Sequence, residues 1–302
     1  MSGLDLRSAA RILGGDVVGP QILFAPPGHS QQDRSASLRF DPKAPSGFVV
    51  HSFAGDDPLP IRDYVKERLG LASSRKAWLA LSPTAPVSSL DGAERTAKAL
   101  AIWDEARDSR RTPVEAYLNR RGLVLPDEAA GEAIRFHPAC PFAGERTGAM
   151  VCLVRDVVTN EPKAIHRTAL TQDGHKAKIN GKDRLALGPI AGGAVKLTPD
   201  ENVTLCLGMG EGIESALSLR NLPEFGCSPV WSLIAAGGVK TTPVLSGIES
   251  LWLAVDHDET GIRAARSMAR RWQSSGAEVF LITPSAPRAD LNDLFFTGAH
   301  YA

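Results

Sequence analysis

Cysteine, net charge and long apolar runs are all scarce in this chain of 302 residues, and each scarcity narrows what it can be. The four cysteines, Cys140, Cys152, Cys206 and Cys227, lie far apart and form no C-x-x-C pair. That spacing argues against a disulfide framework or a zinc site and fits a reducing cytoplasm. Cys152 and Cys206 sit inside apolar runs, as buried thiols do. Lys plus Arg number 34 and Asp plus Glu also 34, so there is no global basic field, and any polyanion must be met by local patches. No apolar run reaches the ~18 residues of a membrane span and no signal peptide opens the chain. A cytoplasmic protein without a membrane partner is the expectation.

What is present can build a large core. Hydrophobic residues make up 43% of the chain and charged ones 23%, ordinary for a soluble protein, and the length predicts two or three domains. A short helix over 4–14 ends at Gly14-Gly15. Strand-like runs follow at 37–40 and 47–53, and Ile61 to Leu69 reads as a helix stopped by Gly70. Residues 72–92, rich in Ser, Pro, Ala and Thr, read as a linker. Asp91 is placed to cap a helix from Ala93 to Ser109, and Pro113 opens another that closes at Arg120-Arg121-Gly122. That Arg pair suits the negative end of the helix dipole, with phosphate contact as the alternative.

From Ile134 the pattern turns to antiparallel strands joined by Gly and Asn turns, at 134–137, 149–156, 162–170, 181–188 and 194–197. Lys163, His166, Arg167, His175, Lys176, Lys178, Lys182 and Arg184 fall in this stretch, opposed by Asp173 and Asp183. Strand alternation sends several of them to one face, either as an ordinary solvated surface or as one that contacts phosphate. Lys240 joins this group as a candidate contact to nucleic acid or nucleotide.

The last third alternates β and α, as an open α/β sheet does: strands at 203–207, 230–236, 251–255 and 277–282, with helices at 213–219 and 261–274. Ligands of such sheets bind beyond the carboxyl ends of the strands. Glu211, in Gly208-Met209-Gly210-Glu211-Gly212, and Asp256 and Asp258, in Asp256-His257-Asp258, fall there; Asp290-Leu291-Asn292-Asp293 follows the fourth strand. Carboxylates suit a hard divalent cation that keeps several waters, and a site of two or three of them plus substrate phosphate is expected. Taken singly, Glu211 could merely serve a helix dipole, and Asp256 and Asp258 a capped turn.

As a set, Gly210-Glu211-Gly212 with Ser215-Ala216-Leu217, then Ala236-Gly237-Gly238, Asp256-His257-Asp258-Glu259-Thr260-Gly261 and Asp290-Leu291-Asn292-Asp293-Leu294 resemble a Toprim domain. That module is shared by bacterial primases, type IA and II topoisomerases, recombination-repair proteins and some nucleases. The final motif resembles the Lys-Asp-x-Asn-Asp of phage and plasmid primases, with Ala289 in place of lysine. The resemblance makes Glu211 an acid/base or metal ligand. It makes Asp256 and Asp258 ligands of Mg²⁺ or Mn²⁺, with Asp290 or Asp293 assisting, and His257 without a role.

The order near the N-terminus also resembles the zinc-binding domain of DnaG-type primases. Pro26-Pro27-Gly28-His29 stands where that family has Cys-Pro-x-His, and Ser52-Phe53-Ala54-Gly55 where it has Cys-x-x-Cys. One imidazole cannot complete a four-coordinate structural zinc site, so a ribbon without zinc is expected. The alternative is an unrelated α+β module with His29 and His51 as ordinary turn and strand residues. Tyr117-Leu118, Arg120, Gly122-Leu123 and Ile165-His166-Arg167-Thr168 resemble plasmid and phage primase-like proteins as well.

The expected architecture is a ribbon-like module over 1–71, the linker over 72–92, a helical and β-rich basic subdomain over 93–200, and a Toprim-type, mostly parallel sheet over 201–302. The resemblance implies a primase-like nucleotidyltransferase of a phage, plasmid or mobile element, acting on single-stranded DNA and nucleoside triphosphates. A Toprim nuclease, or a non-catalytic DNA-binding accessory protein, is the alternative. No G-x-x-x-x-G-K-[ST] phosphate loop is present, so any helicase is expected on a separate chain.

Overall fold

The computed structural model describes residues 5–71, 90–284 and 291–293. The expected linker therefore lies outside the described residues except for 90–92. Those three residues belong to a helix, so Asp91 sits within its first turn rather than capping it.

The N-terminal module is a four-stranded antiparallel sheet, β1 (Asp16–Val18), β2 (Gln21–Phe24), β3 (Ala36–Phe40) and β4 (Phe48–Ser52), in sequential order. Two helices, α1 (Leu6–Leu13) and α2 (Pro58–Arg68), cover one face. Asp5 Oδ1 accepts from the Ser8 amide at 2.7 Å and starts α1; Gly14, in the left-handed region with φ 65°, stops it. Ala9 and Leu13 of α1, Ile61 and Val65 of α2, and Ile22, Phe24 and Leu38 of the sheet form one apolar cluster. Each element is too short to hold its fold alone, so this burial is what fixes the module. The ribbon expectation anticipates β3 and β4 but not β1 and β2.

The remaining strands form one sheet, in which the ordered path of eight strands is β14-β13-β11-β12-β10-β7-β6-β5, with β8 pairing β7 and β9 pairing β8. Its antiparallel half comprises β5 (Arg107–Asp108), β6 (Ile134–Phe142), β7 (Glu145–Asp156), β8 (Pro162–Ala169), β9 (Arg184–Leu187) and β10 (Gly193–Lys196). Its parallel half comprises β11 (Cys206–Gly210), β12 (Val230–Ser232), β13 (Ser250–Ala254) and β14 (Glu278–Ile282). The halves join where β10 pairs antiparallel with β12, Val195 facing Ser232. The sheet thus runs unbroken across the division expected at 200.

Helices lie on both faces. Strand β7 shows why: Ala149, Val151 and Leu153 point toward Trp103 of α3 (Leu90–Glu105), while Met150, Cys152 and Val154 pack with Tyr117 and Leu118 of α4 (Pro113–Arg120). Period-two alternation with both sets apolar forces a strand buried on both sides. In the parallel half, α5 (Ile213–Ser218) covers one face, while α6 (Ala236–Thr241) and α7 (Glu259–Gln273) cover the other. On that second face Leu207, Met209, Leu251 and Leu253 meet Met268 and the fully buried Trp231 and Trp272.

Strand β11 begins three residues later than the apolar run at 203–207 predicts. Leu205 is 38% exposed, and the Val203 carbonyl accepts from the buried Arg62 guanidinium of α2 at 2.7 Å. Val203 is thus held by the N-terminal module ahead of the ladder. The stretch 233–236, expected as strand, turns into α6 instead.

Candidate functional site

In the parallel half Gly210 pairs with Ala254, so the chain leaves two adjacent strands side by side. One residue further on is Glu211 and two further is Asp256. Neighbouring strands lie about 4.8 Å apart, and both side chains line one cavity floored by Met209, Leu253 and Ala265. The Ser215 hydroxyl, in the first turn of α5, donates to Asp256 Oδ1 at 3.2 Å and fixes that carboxylate. The close approach of α5 to β11 requires Gly210: a Cβ there would lie 2.7 Å from the Ala216 nitrogen.

Asp258 is exposed and does not line the cavity; its Oδ1 accepts from the Gly261 amide at 2.7 Å and caps α7. No group of three His, Cys, Asp or Glu side chains able to hold a metal ion occurs among the described residues. Of the expected carboxylates, Glu211 and Asp256 come together and Asp258 stands beside them in a capping role. Asp290 lies outside the described residues, and Asp293 closes a short 3-10 turn, Leu291–Asp293. His257 ties two strand ends, its Nδ1 2.7 Å from the Pro284 carbonyl. As a donor set, two carboxylates on one cavity fit a hard divalent ion that also takes water and phosphate oxygen.

The basic residues divide. Arg167 is 7% exposed; it donates to the Pro141 carbonyl at 2.6 Å and lies over the Phe142 ring, so its role is to pack the sheet. His166 keeps a buried Nδ1 without a partner, and burial together with nearby cations lowers its pKa to about 4. Lys163 pairs with Asp156 at 3.3 Å and donates to the Ala191 carbonyl at 2.8 Å. Lys178, Lys182 and Lys240 are exposed. Lys176 and Arg184 turn toward the parallel half, where their partner is Glu214, with Nζ at 3.1 Å and a guanidinium nitrogen at 3.9 Å. Several of the basic residues are expected on one face of the sheet, as a solvated surface or a phosphate contact; His166 and Arg167 are not among its exposed members. Successive residues of β8 point to opposite faces of the sheet, and both faces are covered, so Arg167 is buried on one side and the His166 ring is enclosed on the other.

Sequence reasoning gave Glu214 no role. It sits on α5 three residues after Glu211, is 5% exposed, and its Oε1 also accepts a short hydrogen bond from the Tyr117 hydroxyl of α4. Burial works to raise its pKa, but Lys176, Arg184 and the Tyr117 hydroxyl together hold it down, to about 2. Burial and the neighbouring Glu214 charge push the Tyr117 phenol upward, so it stays a donor. The available signal was the lone acidic residue in an otherwise apolar and small-residue helix. Arg120, read as a dipole partner, donates to the Asp173 carbonyl at 3.1 Å.

In the N-terminal module His29 sits between two carboxylates, Nδ1 2.6 Å from Asp33 and Nε2 3.2 Å from Asp56. Ser52, in the expected Cys-x-x-Cys place, donates to the other oxygen of Asp56 at 2.7 Å. Hydrogen bonds from Asp33 and Asp56 raise the His29 pKa.

Residues 206–299 match the family model described as Toprim domain, and residues 93–197 match one described as Domain of unknown function (DUF7146). No curated protein matches the chain. Among solved structures it is similar to the primase fragment of the bacteriophage T7 primase-helicase protein, at 17% identity and a TM-score of 0.42, covering 61% of this chain and 70% of that one. It is also similar to the Aquifex aeolicus primase (zinc binding and RNA polymerase domains), at 13% identity and 0.42, covering 98% and 82%. A DNA primase domain from Pseudomonas aeruginosa gives 13% and 0.40, covering 68% and 75%. Residues 206–299, with Glu211 and Asp256 at the carboxyl ends of adjacent parallel strands, are thus a Toprim domain.

Proposed function

We propose that this protein is a DNA primase-like nucleotidyltransferase that makes short RNA primers on single-stranded DNA. The observation that carries the reading is the pairing of Glu211 and Asp256 over one cavity of a Toprim domain, in the same sheet as a basic antiparallel half. The bond formed joins a 3′ oxygen to the α-phosphorus of a nucleoside triphosphate, the bond broken releases pyrophosphate, and the hydroxyl proton leaves through an acid/base group. Glu211 is the candidate for that group. Asp256, held by Ser215, and Asp258 at its capped turn are the residues that would hold Mg²⁺ or Mn²⁺, with Asp290 and Asp293 in support. A divalent ion bound there would neutralise and align phosphate oxygens for in-line displacement. Lys178, Lys182 and Lys240, exposed, would meet template or triphosphate alongside Lys176 and Arg184. The setting is replication of a phage, plasmid or mobile element, with any helicase supplied in trans.

The test is primer synthesis on single-stranded templates with ribonucleotides and Mg²⁺ or Mn²⁺, with Glu211→Gln as control. Oligoribonucleotide product from the wild type, reduced at least about 10²-fold in the variant, is the expected result. Cleavage of the template instead, also lost in Glu211→Gln, would assign a nuclease. Template binding with neither activity would leave a DNA-binding accessory protein.

A further inference from the structure

We infer that Glu214 is a positioning residue, which holds Lys176 and Arg184 of the antiparallel half in register with the Glu211–Asp256 pair. The inference rests on the function proposed above, and it is carried by the first turn of α5. Of two consecutive residues there, Ser215 reaches the acidic pair through Asp256, and Glu214 reaches the cations. Glu211 itself is three residues upstream. One short segment therefore fixes both signs of charge.

The fold alone gives no reason for a carboxylate at this place. It is buried on a helix whose Ile213, Ala216 and Leu217 pack into the apolar core, and an isolated buried charge there is strongly unfavourable. What makes it tolerable is convergence on Oε1 of the Tyr117 hydroxyl and Lys176, with Arg184 close by. These come from three separate segments: α4, the turn before residue 177, and β9. The Tyr117 ring also underlies Lys176, whose Nζ is 5.6 Å from its centroid. The Lys176 and Arg184 side chains remain 22% and 44% exposed. An ammonium has three donors, so the bond to Glu214 leaves Lys176 able to meet a second anion as well. That second anion is a phosphate of template or triphosphate, and Glu214 fixes where it is met.

Positioning and simple structural support differ in what Glu214→Gln should do. The amide keeps the shape and a partner for Tyr117 but removes the charge. The freed cations should then contribute more to polyanion binding while losing their register with the acidic pair. The experiment measures affinity for a single-stranded DNA oligonucleotide against salt, together with primer synthesis, on the full chain. Glu214→Gln is expected to steepen the logarithmic salt dependence by about 0.7 per freed charge. It is also expected to lower kcat/KM for synthesis by about tenfold or more, with Glu214→Asp recovering part of the loss. Wild-type slope and rate in a folded Glu214→Gln would overturn the inference. If Glu214→Gln does not fold, Tyr117→Phe, which keeps every charge and loosens Glu214, is expected to lower kcat/KM with affinity intact; an unchanged rate there overturns the inference. If the wild type makes no primers, the primase reading fails and the salt slope alone decides the role of Glu214.

Discussion

At the scale of single residues, the site depends on contacts one step removed from the chemistry. The Ser215 hydroxyl donates to Asp256 Oδ1, and if Asp256 holds a metal as proposed, loss of such an orienting group costs about 10-fold or more. Ser215→Ala is therefore expected to raise the Mg²⁺ concentration needed for half-maximal activity by about that factor while the fold stays intact, which a metal titration checks. His166 makes a second prediction. Its pKa is depressed to about 4 in the folded protein, so between pH 6.5 and 4 the unfolded chain binds the extra proton. Stability should then fall as pH drops through that window, by about 1–3 kcal/mol. Glu214, held at about 2, adds a loss in the same direction below pH 4.5. Urea denaturation across this range should show the His166 part flattened in His166→Gln. The sequence made Glu211 and Asp256 legible because both are acidic residues placed just past apolar strands. It did not reveal Glu214, because a carboxylate becomes informative only once three distant segments are seen to converge on it.

At the scale of elements, the contact between β11 and α5 leaves no room for a side chain. Gly210→Ala would put a Cβ 2.7 Å from the Ala216 nitrogen and 3.0 Å from its Cα, and backbone cannot yield as a flexible side chain does. Thermal unfolding should show a loss of about 1–3 kcal/mol, and activity should fall further, since the helix carries Ser215 and Glu214. Most elements of the parallel half were readable because strands such as Ser250–Ala254 are apolar on both faces and are followed by a helix with a continuous apolar stripe. The misses have physical causes. Asp16–Val18 is exposed throughout, so it carries no alternation. Val203-Thr204-Leu205 is apolar for another reason than strand pairing, since it meets the N-terminal module near Arg62 and Phe48.

At the scale of the whole molecule, that contact ties the N-terminal module to the amino end of β11, the end opposite the acidic pair. Arg62 supplies its buried hydrogen bond, and Ser46 adds a longer one to the Asp200 carbonyl at 3.5 Å. Arg62→Met keeps the aliphatic bulk but leaves the Val203 carbonyl unpaired, a loss of about 1–3 kcal/mol. Hydrogen exchange should quicken at Val203–Leu205 and around residues 44–50, with the rates of β13 and α7 unchanged. The His29 pair acts within the module in the opposite sense to His166. Its raised pKa makes its contribution complete below pH 6.5 and lost as pH rises through the folded value.

The pairing of β10 with β12 bears on how this protein could be recombined. A graft that begins at residue 201 would carry β12 away without the strand that covers its edge, and an uncovered edge invites pairing between chains. Transplanting the parallel half means taking Gly193–Lys196 along with it, so the smallest portable piece is longer than the Toprim match that starts at Cys206.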